Sequence, residues 1–119
     1  MAPVVLLRLE GAALAAAALA GYFAIDGSWL LFAVLILAPD LSMAGYAAGP
    51  RAGAAAYNAC HVTVAPIALL MAGYVAAWPL AVTIGLVWLA HIGVDRALGY
   101  GLKLPSDFRD THLGRISRG

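Results

Sequence analysis

The sequence predicts an all-α membrane protein, an up-down bundle of four transmembrane helices followed by a short polar C-terminal tail. Three observations carry that prediction. Of the 119 residues, 64% are hydrophobic and 11% are charged, against about 25% charged in an average soluble domain. The mean hydropathy of +0.91 is too high for a small chain that must cover a wet surface with polar groups. The apolar residues also fall into four runs, each near the ~20 residues needed to cross ~30 Å of hydrocarbon at ~1.5 Å per residue.

The first run extends from about Val4 to Ile25, is rich in alanine, and stops at the turn signal Asp26-Gly27-Ser28. It has no basic segment ahead of its apolar stretch, and Arg8 and Glu10 interrupt it, so it reads as a spanning helix rather than a secretory leader. The second runs from Trp29 to Ala48, contains Pro39-Asp40, and closes at Gly49-Pro50-Arg51. The third covers about Ala52 to Val75, with Trp78 placed for an interfacial aromatic belt. The fourth covers about Leu80 to Tyr100, with Gly101 as its expected stop. Residues 1–100 thus read as a transmembrane domain with spans of about 4–25, 29–48, 52–75 and 80–100. Residues 101–119 read as a cytoplasmic tail.

Short loops make successive helices antiparallel neighbours. In that arrangement Arg8, Arg51, Arg96, Lys103, Arg109, Arg115 and Arg118 all fall toward one face, while the opposite loops hold only Asp26. The positive-inside rule then places both termini in the cytoplasm, with the lipid bilayer as the chain's main partner. A net charge of +1 without a basic-aromatic stripe argues against nucleic acid. A single cysteine, Cys60, excludes an intrachain disulfide and reads as a small packing residue. Gly45 and Gly49, at GxxxG spacing, suit packing within the chain or a homo-oligomer face.

Ionisable groups within spans are costly and turn toward the bundle interior. Depth can be counted from the basic face. Asp40 lies about 12 Å in, His61 and His91 about 13 Å, and Asp95 about 8 Å. Glu10 occupies the same half of the first helix. His91 and Asp95 are four residues apart, Asn58 and His61 three apart, so each pair shares a helix face. Two imidazoles and two carboxylates at matched depth suit Zn2+ or another divalent metal with an open position for water. Asp40, His61, His91 and Asp95 are therefore the candidate ligands, and with Glu10 the candidate catalytic groups. His112 in the tail is a further candidate ligand. Asn58, Arg96 and Lys103 are candidates to hold substrate, the two cations suiting an anionic headgroup. Packing roles compete for each residue: Asp95 can neutralise Arg96 or Arg51, Arg8 can pair with Glu10, and Asp40 can serve backbone freed by Pro39.

The runs LRLEG (Leu7–Gly11), APDLSMAGY (Ala38–Tyr46), GPRAGAAAYNACH (Gly49–His61) and WLAHIGVDRALGYGLKLPSDFRDTHLGRI (Trp88–Ile116) resemble a small bacterial integral-membrane family, domain of unknown function 4260. The resemblance covers nearly the whole chain. It implies the membrane fold and a bacterial inner membrane as its location, without implying an activity. More loosely, the layout is similar to membrane-bound metal-dependent hydrolases with a Pro-Asp motif at the inner face, although Leu41-Ser42 follows here where a second acidic ligand is expected. The leading expectation is a membrane-embedded, metal-dependent hydrolase or lipid-modifying enzyme with its site at the cytoplasmic side. The alternatives are a proton or ion carrier or channel subunit, disfavoured by the apolar outer halves, and an accessory subunit of a larger membrane complex.

Overall fold

The computed structural model describes residues 2–115; Arg118, counted above among the basic residues, lies outside them. The four runs are all helical and long enough and apolar enough to cross a membrane: Pro3–Ala24, Trp29–Ala48, Pro50–Val75 and Pro79–Leu98. Large apolar side chains such as Leu30, Leu41, Val64 and Val75 point outward, which hydrocarbon tolerates and water does not.

Two of the spans are broken, which the hydropathy pattern does not predict. The first span is one helix, α1 (Pro3–Ala24). The second begins as α2 (Trp29–Leu35), started by the Ser28 side chain accepting from the Leu31 amide. It then continues as a 3-10 helix over Ala38–Ala48. Runs of 3-10 helix longer than 3–4 residues are uncommon and often mark strain or a functional segment. The third span divides into α3 (Pro50–His61) and α4 (Val64–Val75), with Val62 extended between them. Pro66 supplies a reason for that second break, because its ring clashes with the carbonyl four residues back, which belongs to Val62. The fourth span is a single helix, α5 (Pro79–Leu98). It ends at Gly99, with φ +93°, rather than at Gly101. The Tyr100 amide closes that end on the Asp95 carbonyl at 2.7 Å.

α5 carries more buried residues than any other described element, among them Val87, Ala90, His91 and Ile92. α1 packs on it through small residues. A Cβ on Gly93 would lie 2.6 Å from the Ala15 nitrogen, and one on Gly11 would lie 2.4 Å from the Arg96 Cβ. Such close backbone approach is what drives helix association in lipid. It also fixes the rotation of α1, with Gly11, Ala15, Ala18 and Tyr22 buried and Glu10 exposed. Gly45 does the same work on α3, its Cβ position lying 2.8 Å from that of Ala56. The small-residue spacing at Gly45 is therefore used within the chain, and Gly49 is the turn before α3, with φ +107°. The motive for a homo-oligomer face there is removed.

The tail folds back on the bundle. β1 (Asp110–Thr111) and β2 (Gly114–Arg115) form a small hairpin, closed by an Asp110–Arg115 ion pair. Lys103 bridges to Thr111 across it. Asn58 fastens this flap to α3 as a backbone strand would. Its Nδ2 donates to the Lys103 carbonyl at 2.8 Å, and its Oδ1 accepts from the Lys103 amide at 2.6 Å. Asn58→Ala removes both bonds and leaves the Lys103 amide and carbonyl without those partners, a loss of about 1–3 kcal/mol in flap docking. Hydrogen exchange should show the tail amides losing protection in that variant while α5 keeps its own.

Candidate metal centre

Asp40, His61, His91 and Asp95 converge, each offering one ligand atom, and those atoms all lie within 4.8 Å of one another. The Asp40 Oδ1 is 3.1 Å from the Nε2 of both His61 and His91. The Asp95 Oδ2 is 3.5 Å from the first imidazole and 3.2 Å from the second. The two Nε2 atoms are themselves 3.2 Å apart. The five separations that involve an imidazole are close to the about 3.3–3.4 Å between ligands about 2.0–2.1 Å from a tetrahedral zinc ion.

The helix breaks set the rings. In the 3-10 segment Asp40 bonds back to the Leu37 carbonyl, and Pro39 has no N–H to offer Ile36. The Ile36 carbonyl is taken instead by Nδ1 of His91 at 2.5 Å. Nδ1 of His61 bonds the Tyr57 carbonyl at 2.8 Å, while the Tyr57 ring stacks on the His61 ring at 3.6 Å between centroids. A carbonyl oxygen only accepts, so both Nδ1 atoms carry the proton, and in a neutral ring each Nε2 presents a lone pair. Two lone-pair nitrogens and two carboxylates then face one point with no hydrogen to share. A cation resolves that arrangement, and backbone carbonyls orienting imidazoles in this way are usual around bound metals.

α5 also repairs the break in the third span. The Arg96 Nη2 donates to the His61 carbonyl at 3.2 Å, and the Trp88 Nε1 donates to the Cys60 carbonyl at 2.6 Å. These satisfy backbone groups that lipid cannot. Arg96 is thus a cap on the backbone. Arg8 likewise donates to the Ala97 carbonyl at 2.9 Å.

The histidines are buried, at 4% and 5% side-chain exposure, but Asp40 is 34% exposed and Asp95 17%. Both carboxylates border a cavity of about 270 Å³ whose other walls include Tyr57, Tyr100, Lys103 and Phe108. The Lys103 ammonium lies 4.7 Å from the Tyr57 ring centre and 3.8 Å from that of Phe108, a cation–π clamp. Burial pulls its pKa below the ordinary lysine range, and Asp95 and Asp40 oppose that shift.

Two sequence-derived candidates are not brought into this group. Glu10 is exposed on α1, because Gly11 and Ala15 turn the neighbouring face toward α5. His112 lies outside the four-residue group, and its Nδ1 accepts from the Leu102 amide at 2.9 Å. Burial lowers its pKa, and Arg96 adds to the shift. Asn58 holds the flap with both of its polar atoms, so its contact is with Lys103 backbone. Trp88 and Phe108 had no part in the reading of the site, and Tyr57 entered it only within the family run Gly49–His61. The i,i+4 spacing of Tyr57 and His61 was the available signal for the tyrosine.

Four helices long and apolar enough to cross a membrane, with a His/Asp group among them that could hold a metal ion, define a polytopic membrane protein with a candidate metal centre. The chain matches the family described as domain of unknown function (DUF4260) over residues 4–116, and it belongs to that family. No curated protein and no solved structure matches it significantly.

Proposed function

We propose that the protein is a membrane-embedded, divalent-metal-dependent hydrolase acting on lipid at the cytoplasmic face of a bacterial inner membrane. The observation that carries this reading is the set of four convergent lone-pair atoms whose two carboxylates open on a cavity beside a lysine. The one-sided distribution of Arg8, Arg51, Arg96 and Lys103 supports the orientation.

His61, His91 and Asp95 would hold the ion, two imidazoles and one carboxylate suiting zinc, and Asp40 would stay free of it as the acid/base. When bound, it supplies Lewis acidity and lowers the pKa of water at the site. The chain's own residues do the rest. Tyr57 and Ile36 carbonyls keep both imidazoles facing inward. Asp40, the more exposed carboxylate, would take a proton from water and return it to the leaving oxygen. The oxygen of water bonds to the acyl carbon or phosphorus, and the ester bond to the leaving oxygen breaks. Lys103 offsets negative charge in the cavity.

The test is turnover. Protein purified without chelator and placed in nanodiscs containing anionic phospholipids should release a hydrolysis product detectable by mass spectrometry. Chelation should abolish release and added zinc should restore it. A folded protein that takes up no divalent ion, even after zinc addition, overturns the reading.

A further inference from the structure

A second depression adjoins the four convergent residues on the side away from the flap. It is an apolar groove of about 230 Å³ lined by Leu35, Ala38, Pro39, Cys60, Ile84 and Trp88. Three separate chain segments run from this groove, through the ligands, to the polar cavity. Along the second span the order is Pro39, Asp40, Met43. Along α5 it is Trp88, then His91 and Asp95, then Lys103 beyond the helix end. On α3 Cys60 faces the groove, His61 the ligand cluster and Tyr57 the cavity. Apolar slot, reactive centre and cationic cavity are therefore stacked in the order in which a phospholipid presents its acyl chain, ester linkage and headgroup.

We propose that the substrate is an anionic phospholipid of the surrounding bilayer, its acyl chain in the Pro39–Trp88 groove and its headgroup at Lys103. This deepens the hydrolase reading and rests on it in one respect. Asp40 and Asp95 alone would repel an anion, whereas a divalent ion cancels both carboxylates. Lys103 then leaves the cavity net positive. The groove suits a chain better than a second protein segment because it lies at the depth of Ile84 and Trp88 within a span. Its floor is also made by the two helix breaks, whose freed carbonyls are already capped. That floor offers few polar groups, which an acyl chain does not need.

Trp88 reports on the groove directly. The double variant Trp29→Phe/Trp78→Phe leaves it as the only tryptophan. In phosphatidylcholine vesicles, phosphatidic acid brominated on its acyl chain should quench Trp88 several-fold more than brominated phosphatidylcholine at the same low mole fraction. Lys103→Gln should bring the two lipids level, and a bulky groove substitution, Ala38→Phe, should reduce quenching by either. Native mass spectrometry of the unaltered chain with the same two lipids gives a readout free of the tryptophan substitutions, and preferential retention of phosphatidic acid is expected. Equal quenching together with equal retention overturns the proposal. Metal content measured on the same samples separates the two ideas: bound metal without lipid preference sinks this inference alone, and lipid preference without metal sinks the hydrolase reading alone.

Discussion

The unaltered protein, purified without chelator, should carry one divalent ion per chain, and the His91→Ala and Asp95→Asn chains should carry almost none. Removing one ligand should weaken binding by at least about 100-fold, because loss even of an outer partner typically costs 10–100-fold. Elemental analysis of protein exchanged against zinc reads this directly. Pro39→Ala is the sharper variant, since it leaves every ligand in place. An alanine there restores the N–H that proline lacks and gives the segment a donor for helical pairing. The Ile36 carbonyl would then no longer be reserved for His91, and affinity should fall by about 10–100-fold through ring misorientation. If all three variants keep full metal content, the four residues form a structural hydrogen-bonded network and the ion lies elsewhere.

The second large effect is expected at the contact between α1 and α5. Gly93→Ala puts a methyl carbon 2.6 Å from one backbone atom and 2.7 Å from another, and Gly11→Ala places one 2.9 Å from two more. The neighbours are main chain and, for Gly11, also the Arg96 Cβ fixed to it; none can rotate aside, so each substitution should cost at the upper end of the usual 1–3 kcal/mol for overpacking, or about 3 kcal/mol. Gly21→Ala is the matched control. Its nearest contact would be an ordinary 3.6 Å to the end of a leucine, and in a helix interior it should gain about 0.5–1 kcal/mol. Unfolding followed in bicelles should separate these variants, and equal stability of the Gly93 and Gly21 variants would refute close backbone packing as the basis of the α1–α5 contact.

The four spans and the shared depth of the ligands were legible because both depend on counting. Apolar run length gives the spans, short loops make them antiparallel, and the rise per residue then places Asp40, His61, His91 and Asp95 in one layer. What counting does not give is helix rotation. Glu10 has the right depth, yet a glycine one residue later turns it outward, and only the fit of Gly11 against Gly93 decides that. The breaks were half legible. Pro39 and Pro66 announce trouble, but which carbonyls they free, and that His91 would take one of them, depends on where α5 runs. The flap was least legible, since its docking hangs on Asn58 pairing with backbone forty-five residues away. Asn58 was a candidate to hold substrate from its place near His61, while its use as a surrogate strand follows only from the folded tail.

The repair of two broken spans by one helix has a consequence for how the chain is made. The second and third spans emerge from the ribosome before the fourth. Until α5 arrives, the carbonyls of Ile36, Cys60 and His61 lack the side chains that bond them, a costly condition in hydrocarbon. The early spans must therefore either wait in the wet interior of the insertion machinery or enter lipid as straighter helices and break later. Either route makes insertion of the last span the committing step of biogenesis. Asp40 and His61 can meet earlier, but the four-residue group is complete only once α5 has brought His91 and Asp95 to them.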